Sequence, residues 1–249
     1  MNRLMKAEWY RVRHSSGLKR WMIIICLFSI AFTFLTLTDS NVINQNLTEN
    51  LYWSGESYFF IMYCLAVISA VIVGTGYSNK IAYYEVMAGN KISGMLLSKV
   101  LVDAVFVTVA SSLSLDIFWA IIGIHNGIGL IKQLPLRFIL LAVIFFHICS
   151  TGVLIATTVQ HTIGAVASYL RFSVFEMLVP FSIELFGNFS TETGTKISDW
   201  FIMLQLSKIL NYECRITDHL IFATIFGTLI EAAIWYAISY MRMKKKLYH

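Results

Sequence analysis

Charged side chains are scarce in this chain. They make up 13% of its 249 residues, about half the share of an ordinary soluble domain, and that shortage excludes a water-facing surface able to cover a soluble core. Hydrophobic residues fill 57% of the sequence and the mean hydropathy is +0.70, so lipid is the expected solvent for most of it. Metal and disulfide chemistry are just as thinly provided for. The four cysteines, Cys26, Cys64, Cys149 and Cys214, never fall in C-x-x-C spacing and three sit inside apolar runs. They read as small hydrophobic fillers. His147 and His161 are far apart, with no H-E-x-x-H pattern around them, and read as hydrogen-bonded bundle histidines. A phosphate-binding glycine loop, a nucleophile elbow and carboxylates paired on one helical face are also missing. The chain is therefore expected to be non-catalytic, with no metal or cofactor of its own. The net charge of +5 does not point to nucleic acid, because the cations cluster beside apolar runs.

Six runs are apolar and long enough to cross a bilayer, which takes about 20 residues: Trp21–Leu37, Tyr58–Gly76, Val100–Ile124, Phe138–Val159, Thr162–Gly187 and Leu220–Met241. The fold expected is an all-α polytopic membrane protein forming a single domain over residues 1–249. No A-x-A cleavage site follows the first run, which is expected to stay as an uncleaved span. An even number of spans puts both termini on one side. Lys and Arg choose that side. They crowd the N-terminal arm (Arg3, Lys6, Arg11, Arg13, Lys19, Arg20), the loop between spans two and three (Lys80, Lys91, Lys99) and the tail (Arg242, Lys244, Lys245, Lys246). Only Lys132, Arg137, Lys196, Lys208 and Arg215 fall on the other side. Both termini are expected in the cytoplasm of a bacterial cell.

Residues 1–20 form an amphipathic stretch. Met5, Trp9 and Val12 share one helical face and Arg3, Lys6, Tyr10 and Arg13 another. An interfacial helix is the expectation, its cations attracted to anionic lipid by about 1 kcal/mol each; a plain positive-inside flank is the alternative. In the outer loop, 188–219, Trp200–Leu210 is apolar but too short to span. A re-entrant or surface helix is expected there, capped by Ser198 or Asp199, with Lys208 suiting its C-terminal dipole.

Asp116, Arg171, Glu176 and Glu231 lie well inside spans, where an ionised group costs about 2.5–3.5 kcal/mol. Arg171 and Glu176, five residues apart, are separated by about 140° on an α-helix and are poorly placed to pair. Glu231 is the expected partner of Arg171, as a structural ion pair; a polar lining for a transport path or a proton relay is the functional alternative. Asp103, near a span end, is expected to snorkel and to imply little.

The stretch YYEVMAGNKISGMLLSK, residues 83–99, interrupts two apolar runs with a glutamate, two glycines and lysines. Its neighbourhood, 77–99, is expected to fold as a short helix stopped at Gly89 and Asn90 and a second helix leading into the third span. Tyr83, Tyr84, Glu85, Val86 and Met87 lie near its tip, a mixture suited to docking another protein.

The basic interfacial helix, the Glu-x-x-x-Gly-x-Lys element (Glu85, Gly89, Lys91), Lys99 at the start of the third span and the re-entrant segment before the sixth come in a characteristic order. Together they resemble the membrane subunit of a type-2 ABC transporter, over essentially the whole chain. The resemblance implies that the insert is a coupling helix, and that Tyr83, Tyr84, Glu85, Val86, Met87, Gly89 and Lys91 meet a separate ATP-binding subunit. It implies two copies of that subunit, holding ATP and Mg, and a second permease copy or paralogue. It also implies a cavity between spans two and five, with Phe59, Phe60, Met62, Phe172, Phe175 and Met177 as candidate lining; helix packing against lipid is the plainer account of those residues. Small size and short outer loops resemble permeases that expel antimicrobial or cytolytic peptides, including lantibiotic-immunity systems. A membrane immunity or sensor protein that binds a toxic peptide without any ATPase is the alternative, and an intramembrane enzyme acting through His147 or Glu231 a further one.

Overall fold

A computed structural model describes residues 2–16, 55–78, 81–127, 133–176, 196–211 and 214–248, with isolated positions among 19–31 and at 178. It is all-helical, without strands among the described residues. The first expected span, Trp21–Leu37, lies outside them but for isolated positions. Among the described residues three stretches are long and apolar enough to cross a membrane, Ile92–Val109, Leu134–Val159 and Asp218–Lys245, so the six expected spans are met only in part.

The elements are α1 (Asn2–His14), α2 (Gly55–Ser78), α3 (Ile81–Met87), α4 (Ile92–Lys99), α5 (Val105–Asn126), α6 (Leu134–Val159), α7 (Gly164–Leu170), α8 (Ile202–Leu210) and α9 (Asp218–Tyr248). π-Helical turns at Val100–Ala104 and Arg171–Phe175 extend α4 into α5 and α7 towards Glu176. Residues 92–99, expected to belong to the cytoplasmic insert, are thus the opening turns of one continuous helical rod that runs to Asn126.

Helix α6 is the hub, packing against α2, α5, α7, α8 and α9. Pro135 in its first turn costs no hydrogen bond, because that N–H has no helical partner. Its contact with α2 is close because both surfaces are small: a Cβ on Gly152 would stand 2.8 Å from the Ala66 carbonyl oxygen. Without a hydrophobic drive between lipid-bathed helices, such backbone approach is what van der Waals association requires. Leu65, Ala66, Ile144, Phe145, Ile148 and Phe172 are fully buried around this seam. Helix α9 is peripheral, with Phe226, Leu229, Ile230 and Ile234 turned outward.

Helix α1 packs on the bundle. It lies against α4 and the π-turn after it, burying Val12 and Glu8 while Arg3, Lys6, Tyr10 and Arg13 stay exposed. At the same end of the bundle, Leu4 of α1 and Met243 of α9 join Ile92, Met95 and Leu96 in one small apolar cluster.

Helix α8 packs its face of Ile202, Leu206, Ile209 and Leu210 into the core. Lys208 lies in its last turn as expected, but its first turn is not held as the sequence suggested. Ser198 and Asp199 do not cap it. The first amide, Ile202 N–H, donates to Glu176 Oε2 at 2.9 Å. At the other end the Arg137 guanidinium donates to the carbonyls of Ile209, Asn211 and Cys214, satisfying acceptors that a helix C-terminus leaves open.

Candidate functional site

The insert folds as a foot. Helix α3 ends in a Schellman turn: Gly89 N–H donates to the Val86 carbonyl at 2.9 Å and Asn90 N–H to the Glu85 carbonyl at 3.3 Å. Gly89 occupies the left-handed position at φ 83°, which only glycine takes without strain. The Asn90 side chain donates to the same Glu85 carbonyl at 3.0 Å. Lys91 then begins α4 in an extended conformation.

The foot has two faces. Outward, Tyr84 and Met87 are 64% and 69% exposed, and Gly89 and Lys91 are exposed beside them. Inward, Val86 packs on the Ile92–Met95–Leu96 cluster, and Glu85 faces Lys99, with Oε2 3.8 Å from Nζ. Glu85 is therefore part of the foot's anchorage and not of its exposed tip, contrary to the sequence reading. The side chain of Tyr83 lies outside the described residues.

Behind the foot is a buried charge cluster. Glu8 Oε1 accepts from Arg11 at 2.7 Å and from Lys99 at 3.1 Å. Arg11 Nη2 also donates to Asp103 Oδ2 at 2.8 Å, and Nη1 to the Ile72 carbonyl at 3.3 Å. Asp103 is completely buried, so the expectation that it snorkels is overturned: Arg11 reaches it from α1 and supplies the counter-charge where it sits. Burial raises the Glu8 carboxyl, but Lys99 and Arg11 outweigh that and hold it below its ordinary value. Burial also opposes the charge of Arg11, yet Asp103 and Glu8 raise its pKa above the usual value. Glu85 goes the other way: burial, with Glu8 adding to it, pushes its carboxyl up despite Lys99. Three carboxylates and two cations thus tie α1, α3 and the α4–α5 rod together.

A second cluster lies deeper in the bundle. Arg171 grips Glu231 with two bonds, Nε to Oε1 at 3.0 Å and Nη2 to Oε2 at 2.8 Å, as expected of that pair. It also donates Nη1 to Glu176 Oε1 at 2.8 Å, a pair for which an α-helix places the two residues poorly. The reason is the π-turn Arg171–Phe175. Its wider i→i+5 turn brings residues five apart onto one side. His147 Nε2 stands 3.0 Å from Glu231 Oε2, Trp235 Nε1 donates to Oε1 at 3.3 Å, and the Phe175 ring lies 4.5 Å below the guanidinium. Asp116 lies on α5, but its side chain falls outside the described residues.

Of the residues expected to line a cavity between spans two and five, Phe172 is fully buried in the core and Phe175 is half exposed beneath Arg171. In their described parts α2 and α7 pack directly against each other. The side chains of Phe59, Phe60, Met62 and Met177 lie outside the described residues.

Sequence reasoning passed over Glu8 and Arg137. Glu8 is the only acid among the first twenty residues and stands three before Arg11, a spacing that places both on one helical side; that was the available signal. Arg137 carries no signal in sequence, because its partners are backbone carbonyls some seventy residues away.

No protein-family model matches the chain, and a search among curated proteins finds none similar to it.

Proposed function

We propose that this chain is the six-span permease subunit of an ATP-driven exporter of the type-2 ABC kind, working as a pair with a second permease in a bacterial cell membrane. A separate ATP-binding subunit supplies the energy, with ATP and Mg bound there. Hydrophobic or amphipathic cargo, antimicrobial or cytolytic peptides among it, suits the apolar bundle. Both termini then lie in the cytoplasm with the foot, in keeping with α1 and the end of α9 meeting beside α4.

The observation that carries this reading is the two-faced foot. An exposed aromatic and thioether pair, Tyr84 and Met87, sits on a helix whose inner face is fixed by Glu85, Val86 and Lys99 to the start of the third-span rod. A push on the outer face is passed to the rod through buried ion pairs, as a conformational coupling element requires.

The test is co-purification of the chain with its candidate ATPase, and export by the assembled pair, for a Tyr84→Asp, Met87→Asp double variant. Loss of the bound ATPase and of export, with an unchanged melting temperature, is expected. Normal binding and export would remove the reading. Protection from a toxic peptide in cells lacking every candidate ATPase would favour the sensor alternative.

A further inference from the structure

The three carboxylates behind the foot have unequal claims on the two cations. Glu8 accepts from both Arg11 and Lys99, at 2.7 Å and 3.1 Å. Asp103 Oδ2 has the Arg11 guanidinium at 2.8 Å. Glu85 has Lys99 at 3.8 Å from its Oε2, beyond hydrogen-bond length, and that oxygen is buried without a partner. None of the five charged groups has a further ionic partner among the described residues. Three carboxylates therefore share two cations, and Glu85 is the one left over.

The surrounding elements do not make up the difference. From α2, Tyr77 sets its ring 5.9 Å from Lys99 Nζ and donates its hydroxyl hydrogen to Met243 Sδ at 3.5 Å. From α9, Met243 and Tyr236 pack beneath Val86, and the Tyr236 hydroxyl donates to the Ser93 carbonyl at 3.1 Å. The other cations of α1, Arg3, Lys6 and Arg13, are exposed, as is Lys91. A carboxylate with one oxygen buried and unmet is disfavoured as an ion and favoured as a neutral acid. Burial, with Glu8 adding to it, accordingly pushes the Glu85 carboxyl up despite Lys99. Its side chain is 22% exposed, against 4% for Glu8 and none for Asp103, so among the three it is the carboxyl that water can reach.

We propose that Glu85 is a proton switch for the foot: as the neutral acid it leaves the inner face of α3 seated on the α4–α5 rod, and as pH rises it gives its proton to solvent and loosens that seat. The ion gains water by moving outward and escapes the charge of Glu8. The Glu8–Lys99 and Arg11–Asp103 pairs hold α1 on the rod in both forms. Seating is a property of this chain alone and does not rest on the ATPase reading.

The test uses the full chain in a mild detergent, as wild type and as Glu85→Gln, from mild acid to mild alkali. Infrared spectra read the proton: the wild-type-minus-variant difference should hold the C=O stretch of one protonated carboxyl at pH above the ordinary Glu value, fading as pH rises further. Hydrogen exchange of the α3 amides reads the seat, compared between the two proteins at each pH so that the intrinsic pH dependence cancels. Exchange should be alike in mild acid and about tenfold faster in the wild type once the band has gone. Glu8→Gln removes the neighbouring negative charge and should lower both midpoints by about one pH unit. A difference spectrum without a titrating C=O band, or equal exchange at every pH, overturns the proposal. If Glu85→Gln fails to fold, Glu8→Gln decides: midpoints that it leaves in place overturn the proposal.

Discussion

The two buried charge clusters are built from the same residue types and are satisfied very differently. Around Arg171 every carboxylate oxygen has a partner: Glu231 is held by Arg171, His147 and Trp235, and Glu176 by Arg171 and the first amide of α8. Behind the foot, Asp103 Oδ1, Glu85 Oε2 and Arg11 Nε are buried without a hydrogen bond. A fully satisfied network fixes one arrangement, whereas a partly satisfied one leaves neighbouring arrangements close in energy. The deep cluster sets how the helices pack. Under the proposed function, the foot cluster is the joint at which they are re-set.

Breaking the deep cluster should cost most. Arg171→Met strands Glu231 and Glu176 in the bundle, and a loss of about 3–5 kcal/mol is expected, read as reduced yield and a lower melting temperature of the purified protein. Adding Glu231→Leu should return part of that loss, since it removes one of the stranded charges. In the foot cluster, Glu8→Gln removes the negative charge shared by Arg11 and Lys99 and should cost less, about 1–3 kcal/mol. A loss as large as that of Arg171→Met would erase the distinction between the clusters. Gly89→Ala meets no atom within 4 Å, so only its left-handed backbone resists, by about 1–2 kcal/mol. A melting shift of that size with unchanged helicity checks it.

The smallest effect is also the sharpest discriminator. Glu8 has a depressed folded-state pKa, so its contribution is present above the ordinary Glu value and is lost as pH falls through the depressed one. Glu85 has a raised pKa; it destabilises the fold as pH rises from the ordinary Glu value through the raised one. The two slopes have opposite signs, that of Glu8 lying below the ordinary Glu value and that of Glu85 above it. Melting temperature against pH should therefore gain a steeper loss on acidification in Glu85→Gln and a shallower one in Glu8→Gln. Identical profiles for both variants would show that the cluster titrates as one rigid unit.

Much of the frame was legible because it rests on local signals. The apolar runs of α6 and α9, the amphipathic face of α1 and the Gly89–Asn90 stop each depend on residues within a turn or two. What was missed depends on phase or distance. The Arg171–Glu176 pair is poorly placed on an α-helix, and one wider turn brings it together. Asp103 was assigned to solvent because counting charges by loop does not reveal that Arg11, on a separate helix, reaches it. Ser198 and Asp199 have the chemistry of a helix cap, but Glu176 already holds the first amide of α8, leaving Asp199 for Lys208 and His219. The foot's exposed face was half legible: composition placed Tyr84 and Met87 there, and only packing could turn Glu85 inward.

The hold on α8 has a consequence for the order of assembly. Both residues that grip its ends, Arg137 and Glu176, precede it in the chain, so they are already synthesised when α8 emerges from the ribosome. The short helix can seat itself before α9 exists, and α9 then closes over it by bringing His219 to Asp199. A chain truncated after Asn211 should therefore already protect α8 from added protease, and that protection should vanish with Arg137→Gln.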